Sequence, residues 1–284
     1  MNLKAYRKSI FSRKAMEVFG ISFFSILGVL ALILGILDIF YPDAFSFGNS
    51  GLITIAVFSI IGAIFKAWPR FSISRSFSVP NIEIIIKEGD LFDASGNIVI
   101  GMSDTFDTEK GEIIKPSTVQ GQFLTKIYND DRSRLDTDLT TALSSSEFAV
   151  DKDKKKGKQN RYQIGTTAVL NIEAKRYFCI AYSVMNNDFH AQSSINLLSH
   201  SLDSLWNSIS IKGQNEGISM AIIGSDTARV GHLASHADLI KLIVTSFVLT
   251  SREKMIAPSL TLYIHSKDRW KINILEIRNF LKSF

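Results

Sequence analysis

The sequence predicts an N-terminal two-helix transmembrane hairpin followed by an α/β domain with a central mixed sheet. Two observations predict this architecture. Long uncharged apolar runs fill much of the first 65 residues, and beyond residue 80 short apolar strands alternate with amphipathic helices. The first pattern indicates membrane-spanning helices, and the second is typical of an α/β fold. With 46% hydrophobic and 21% charged residues in 284, the chain is not intrinsically disordered as its main state.

Two apolar runs are each long enough to cross a bilayer. The first span is predicted over 18–38 and the second over 44–65, and together they form a hairpin within 18–65. A helix needs roughly 20 apolar residues to cross the hydrocarbon core. The short segment between them contains Tyr41 and Pro42, a break suited to a membrane surface. A cleaved signal peptide and a buried soluble helix are the alternatives, and no cleavage site cleanly follows the first run.

The positive charges predict the orientation of the hairpin. Five Lys or Arg lie in the basic N-terminus, residues 1–17, three lie between residues 66 and 75, and none lies between the two runs. By the positive-inside rule both termini face the cytoplasm, so the protein is expected to be multi-pass. Gly20, Gly28 and Gly35 in the first run, and Gly48, Gly51 and Gly62 in the second, would allow the two helices to pack closely.

Charge and residue content exclude several kinds of partner and site. The 32 Lys and Arg exceed the 27 Asp and Glu, but the whole excess lies in residues 1–80 and the remainder is neutral. We therefore expect no nucleic-acid partner, since such a domain needs a basic surface. The single cysteine, Cys179, excludes an internal disulfide and a Cys-clustered metal site. His232 and His236 have no evident third ligand, so no metal site is predicted.

Residues 66–79 are predicted as a linker and residues 80–284 as a cytoplasmic domain. Apolar runs predict strands over 82–86, 97–100, 167–170, 177–182, 218–223 and 260–264. Helices are predicted over 117–129 with Ser117 as the N-cap, over 194–211, from a capping box at Ser235, and from Asp268 to the end. The basic run 151–158 is interpreted as a solvated loop, with a phosphate or lipid contact as the alternative.

Three loops that follow predicted strands are candidates for ligand binding. The first contains Asp90, a potential acceptor for an exocyclic amine. The second runs from 101–108 to 116–123 and ends in a helix start, which can offer amides to a phosphate. The third, 223–231, has small residues that allow close approach to a pyrophosphate, and Arg229 adds charge. Open α/β sheets bind ligands at strand ends, although Gly-rich loops also occur for turn geometry alone.

The candidate ligand-binding residues fall into these three loops. They are Asp90 and Leu91; then Gly101, Asp104, Thr105, Phe106, Ser117, Thr118, Gly121 and Gln122; and finally Ile223, Gly224, Ser225, Asp226, Thr227, Ala228, Arg229 and Val230. No catalytic residue is assigned, because the sequence has no Gly-x-Ser-x-Gly elbow, Walker loop or metalloprotease motif.

The order of these segments resembles that of a macro domain. More narrowly, 104–108 followed by 117–123 and then by Ile164-Gly165-Thr166-Thr167 is similar to the macro domains of bacterial Thoeris antiphage effectors. Two apolar runs ahead of such a domain resemble the membrane-bound effectors of type II Thoeris systems. The resemblance implies an α/β/α macro fold and a location in the bacterial inner (plasma) membrane.

The resemblance also implies a ligand and a role. Macro domains bind ADP-ribose and its relatives; by similarity Asp90 would meet the adenine amine with Leu91 beside it. The segments 101–108 and 117–122 would surround the distal ribose and phosphate, and 224–230 would form the phosphate loop. In these systems a partner TIR-domain enzyme makes the signal from NAD+, and for the two-span class it resembles a histidine conjugate of ADP-ribose. The effector, a homo-oligomer on activation, then disrupts the membrane and aborts infection; no cofactor other than this ligand is implied.

Two departures from the macro-domain pattern bear on function. Residues 98–104 lack the Asn of the catalytic loop in macro hydrolases, which favours signal sensing over catalysis. Asp226 stands where phosphate loops often have a second Gly, and its carboxylate would repel a phosphate unless it points away. One alternative is a membrane-tethered ADP-ribosyl hydrolase, with Asp104 or Asp107 as the water-activating group. Another is a membrane-anchored scaffold whose α/β domain binds only protein.

Overall fold

A computed structural model describes residues 13–40, 49–67, 72–225 and 234–284. The chain divides into two compact units. One unit comprises residues 1–71 together with 273–284, and the other comprises residues 72–272.

The first unit contains two apolar helices, α1 (Arg13–Phe40) and α2 (Asn49–Ala67), which pack against each other. The first predicted span lies within α1. The second lies in α2 from residue 49 onward, while residues 44–48 fall outside the described residues. Within the described part of the chain, the stretch Met16–Phe40 is long and apolar enough to cross a membrane, and Ile53–Ala67 is a shorter apolar helix.

Gly62 is the point of close approach between α1 and α2. A Cβ atom added to Gly62 would lie 2.7 Å from Cδ1 of Ile26, which is closer than real Cβ contacts. The same atom added to Gly20, Gly28 or Gly35 would meet nothing within 4 Å. The prediction of glycine-mediated packing therefore holds at Gly62, and these three glycines of α1 face open space.

The second unit is built on a twisted mixed sheet. Its strands are β1 (Ser72–Ser78), β2 (Asn81–Glu88), β3 (Asn97–Ser103), β6 (Thr167–Ile172), β7 (Lys175–Met185), β8 (Ala191–Gln192), β9 (Ile218–Ala221) and β10 (Ser259–Ile264). The strand order is β1-β2-β10-β9-β3-β7-β6, and β8 pairs with β7. The five strands from β2 to β7 in this order are parallel, whereas β1 and β6 are antiparallel to their neighbours.

Helices and a small hairpin complete the second unit. The helices are α3 (Val119–Ile127), α4 (Arg132–Ala142), α5 (Ile195–Lys212) and α6 (His236–Glu253), and β4 (Phe148–Val150) pairs with β5 (Asn160–Tyr162). The central strand β3 is buried almost throughout because helices cover a parallel sheet on both faces. α3 and α4 cover one face, where Phe123 and Leu139 share a core cluster with Ile98 of β3. The amphipathic helices α5 and α6 pack against each other and bury apolar stripes, with Leu202, Trp206, Ile243 and Phe247 among their buried residues.

All six predicted strands and the predicted helices are present, with several boundaries corrected. The N-cap of α3 is Thr118 rather than Ser117, since the Thr118 Oγ1 accepts from the Gly121 N–H at 3.1 Å. The capping box at Ser235 is confirmed. At the C-terminus, residues 269–271 form a 3-10 turn, and α7 (Ile274–Lys282) begins only after Asn273, which caps it.

Half of the predicted linker, 66–79, is a strand, while residues 66 and 67 end α2 and residues 68–71 lie outside the described residues. Residues 72–78 form β1, which pairs along its whole length with β2. Ile73, which is buried, and Phe77, which is half-buried, lie on one face of β1 together with the exposed Arg75, and serines occupy the other face. The serines give this segment the composition of a linker, but pairing with β2 makes it a strand.

Candidate ligand site

The described parts of the three candidate loops follow strands that end at one edge of the sheet. β2, β3 and β9 are members of the parallel set, and parallel strands have their carboxyl ends at the same edge. The loop containing Asp90 follows β2, the segment 104–108 follows β3, and Ile223, Gly224 and Ser225 follow β9. Asp226, Thr227, Ala228, Arg229 and Val230 lie outside the described residues.

Asp90 begins the short 3-10 turn over Leu91–Asp93. Its Oδ1 accepts from the Phe92 N–H at 3.0 Å, and its Oδ2 forms an ion pair with the Lys126 ammonium. Burial alone would raise the pKa of Asp90, but the bonds to Lys126 and the Phe92 N–H outweigh it and hold this pKa below its ordinary value. Asp90 is therefore an ionised and partly exposed carboxylate, while Leu91 is buried behind it.

Gly101, in the second half of β3, lies close in space to Ile223, which follows β9. A Cβ atom at Gly101 would lie 2.8 Å from Cε1 of Tyr182 and 3.6 Å from Cγ2 of Ile223. Two of the predicted site residues, Gly101 and Ile223, are thus close neighbours. Gly224 has φ of +86°, a conformation that glycine adopts without strain, and the Ser225 hydroxyl donates to the Ile222 carbonyl at 2.9 Å.

Asp104, Thr105 and Phe106 are buried within the domain. The Asp104 Oδ1 accepts from the Met185 N–H at 2.9 Å, and its Oδ2 accepts from Nη1 of Arg161 at 2.7 Å. The Arg161 Nε also donates to Asp151 at 2.7 Å, which ties the start of the basic run to the same guanidinium. The side chain of Asp104 is therefore directed at protein partners.

Asp107, three residues further along, forms an ion pair with Lys154, and each residue is 1% exposed. The Lys154 Nζ donates to the Asp107 Oδ2 at 2.7 Å and to the Lys158 carbonyl at 2.8 Å. The Asp107 carboxylate also accepts from the Thr105 hydroxyl and from the Lys158 N–H, both at 2.6 Å. The buried Asp107 carboxylate thus accepts three hydrogen bonds and the Lys154 ammonium donates two, as buried charges require.

The prediction of a solvated loop over 151–158 is wrong at Lys154. This run connects β4 to β5, and we call residues 148–162 the strap. Lys152, Lys155 and Lys156 are exposed, as a charge run predicts, but Lys154 turns inward to Asp107. Composition could not identify it, because its partner is 47 residues away in sequence.

The start of α3 is already hydrogen-bonded internally. Because Thr118 caps the helix, the Gly121 N–H predicted to face a phosphate is occupied by the Thr118 side chain. A Cβ at Gly121 would lie 2.4 Å from the Lys115 carbonyl oxygen, so glycine allows the loop to pack on the helix. The Gln122 Nε2 donates to the Ser117 carbonyl at 3.1 Å, and Ser117 itself is exposed.

Two further features concern alternative sites. Among the described residues, no group of three or more His, Cys, Asp or Glu could hold a metal ion.

A cavity of about 650 Å³ lies at the start of β7, the opposite edge of the parallel strands, and is lined in part by Asn171, Lys175 and Lys212. Strand topology and not cavity size thus identifies the candidate site, since ligands of open α/β sheets bind at the carboxyl edge.

Comparisons with known proteins agree with this fold. The macro domain of Thoeris protein ThsA matches as a family model over residues 84–265. Thoeris protein ThsA of Bacillus amyloliquefaciens (strain Y2) is 25% identical over 210 residues, covering 71% of this chain and 68% of that protein.

Solved macrodomains share the fold at low sequence identity. The Oceanobacillus iheyensis macrodomain with ADP has a TM-score of 0.50 and 10% identity, covering 76% of this chain and all of that one. A point mutant of the same macrodomain has a TM-score of 0.51 and 10% identity, with 75% of this chain covered. The second unit is thus a macro domain, and the chain belongs to the ThsA macro-domain family of Thoeris proteins.

Proposed function

We propose that this protein is a membrane-anchored receptor and effector of Thoeris antiphage defence that binds an ADP-ribose-type signal. One observation carries the proposal: in a member of the ThsA macro-domain family, the three candidate loops follow parallel strands that end at one edge of the sheet. Such an edge is where open α/β sheets receive nucleotides. Asp90 at this edge is ionised, and although each of its oxygens already has one partner, its side chain is 39% exposed and can accept a further hydrogen bond from an adenine amine.

The membrane anchor is supported by the surface of the two N-terminal helices. Phe24, Ile39 and Phe65 are all at least 70% exposed, and such side chains are suited to contact with lipid. α1 meets the length that a span requires, and α2 pairs with it. We place the protein in the bacterial inner membrane as a multi-pass hairpin with both termini in the cytoplasm, as the Lys and Arg distribution favours.

The internal contacts of Asp104 and Asp107 favour binding without catalysis. A general base needs a free oxygen within reach of the water that it activates. Both oxygens of Asp104 already accept hydrogen bonds and Asp107 accepts three, and both side chains are at most 5% exposed, whereas that of Asp90 is 39% exposed. The two carboxylates that a hydrolase of this sequence would use are therefore engaged in holding the strap.

The specific signal and the effector step follow from the type II Thoeris resemblance. We propose that a partner TIR-domain enzyme supplies histidine-linked ADP-ribose, and that its binding promotes homo-oligomerisation and disruption of the inner membrane. A ligand can drive such a change only if it binds the active arrangement more tightly than the resting one.

Calorimetry on the full chain in lipid nanodiscs tests the proposed site. ADP-ribose, histidine-linked ADP-ribose and NAD+ are titrated into the natural protein, Asp90→Ala and the matched control Asp93→Ala. Asp93 is exposed and lies three residues away on the same turn. We expect Asp90→Ala to weaken binding by about tenfold or more, since a charge-assisted hydrogen bond contributes about 1.5–3 kcal/mol, and Asp93→Ala to bind normally.

Two outcomes would contradict this proposal. Equal affinities of the Asp90→Ala and Asp93→Ala variants would remove Asp90 from the site. Release of ADP-ribose from a modified protein, abolished by Asp104→Asn or Asp107→Asn in a folded variant, would support the hydrolase alternative instead.

A further inference from the structure

The strap is attached to the segment 104–108 by two separate ion pairs. Lys154 reaches Asp107 in a fully buried pair, and Arg161 reaches Asp104 from a partly buried position. Between them, the Tyr162 N–H donates to the Asp104 carbonyl at 2.9 Å. Backbone and side-chain contacts thus hold the strap to the loop that follows β3.

These attachments fix an unusual backbone conformation. Phe106 lies between the two attached carboxylates and has φ of +48°, in the left-handed region that non-glycine residues seldom adopt. Its ring is buried and meets the Tyr162 ring of the strap edge-on, with 5.4 Å between centroids and an interplanar angle of 86°. A conformation of this kind persists only where the surroundings impose it, and here the surroundings are the strap together with the core cluster to which Phe106 belongs.

We propose that Lys154 and Arg161 are positioning residues of the ligand site, which hold 104–108 in the conformation that receives the distal ribose of an ADP-ribose-type signal. This role presupposes the ligand site proposed above. The two cations act through Asp104 and Asp107 and do not touch the ligand themselves. In this proposal the carboxylates of Asp104 and Asp107 hold the strap and do not contact the ligand.

The location of the segment predicts a selective effect on affinity. Asp90 follows β2 and would serve the adenine end, whereas 104–108 follows β3. ADP has the adenine and both phosphates but lacks the distal ribose. Loss of the strap contacts should therefore weaken the binding of ADP-ribose and spare that of ADP, whereas general loosening of the domain would weaken both.

The test compares ADP-ribose and ADP affinities for the full chain in nanodiscs. The variants are Lys154→Met and Arg161→Gln, and the control is Lys156→Met. Lys156 is an exposed lysine of the same strap that pairs with the exposed Glu112 and lies over the Phe189 ring. We expect about tenfold or greater weakening of ADP-ribose binding in both variants, with ADP binding changed by less than about twofold. Lys156→Met should match the natural protein for both ligands.

Thermal unfolding is recorded first, because Lys154→Met leaves a buried carboxylate unpaired. If that variant does not fold, Arg161→Gln at the partly exposed end of the strap carries the comparison. Equal weakening of both ligands, or no weakening of either, in folded variants would overturn the positioning role. Failure of the natural protein to bind ADP-ribose would instead overturn the proposed function on which it rests.

Discussion

Gly157→Ala should destabilise the macro domain far more than Gly111→Ala. Both glycines have positive φ, +74° at Gly157 and +110° at Gly111, so each substitution costs about 1–3 kcal/mol in backbone strain. At Gly111 a Cβ meets nothing within 4 Å. At Gly157 it would lie 2.4 Å from Oδ1 of Asp107 and 2.9 Å from Nζ of Lys154, so the buried ion pair must move.

The difference between the two variants isolates the cost of disturbing this pair. Breaking a buried ion pair costs about 3–5 kcal/mol, so Gly157→Ala should lose about 3 kcal/mol more than Gly111→Ala. For a domain of this size that corresponds to a Tm lower by about 6–12 °C. Thermal unfolding of the full chain in nanodiscs, followed by near-UV circular dichroism, measures it. Equal losses in the two variants would show that the Lys154–Asp107 pair does not hold the strap.

Three further perturbations test separate parts of the structure. Burial alone would raise the pKa of Asp136, but the hydrogen bonds from Lys158 and Thr108 outweigh it and lower this pKa. The Asp136 carboxylate therefore stabilises the fold above its unfolded pKa, and this stability is lost as the pH falls through the folded pKa. Lys158→Met should make the unfolding free energy fall less between neutral and acid pH. Ser235→Ala removes the capping box of α6 and should lower the unfolding free energy by about 1 kcal/mol in urea denaturation, an effect that an unchanged midpoint would disprove. Gly62→Leu should separate α1 from α2, as reported by cysteine cross-linking in nanodiscs, whereas Gly28→Leu, which points at open space, should not; equal cross-linking in both would contradict the packing.

The strands and helices could be predicted because their sequence signals lie within a few consecutive residues. The capping box at Ser235 lies within four residues, and the strands of the parallel sheet are short continuous apolar runs. The N-cap of α3 is displaced by one residue because Ser117 and Thr118 are both able to cap, and only the observed bond to the Gly121 N–H distinguishes them. β1 is missed because its serines outnumber the apolar residues that alternate with them.

The strap could not be predicted from the sequence because its chemistry is non-local. Lys154 is one of five lysines in an eight-residue run, and nothing local distinguishes it from its exposed neighbours. Its partner, Asp107, belongs to a loop whose acidic residues by themselves suggest a ligand contact or a general base. Only the pairing reveals that Asp104 and Asp107 hold the strap, whereas the sequence by itself predicts that this loop binds the ligand.

We propose that an ADP-ribose-type ligand on the macro domain controls the membrane-bound helices. Dye release from vesicles that contain the full chain tests it most directly, with histidine-linked ADP-ribose, ADP-ribose or no ligand added. We predict release that depends on ligand concentration and is lost in Asp90→Ala but kept in Asp93→Ala. Release without ligand, or intact vesicles at a ligand concentration shown by calorimetry to saturate the protein, would contradict the claim.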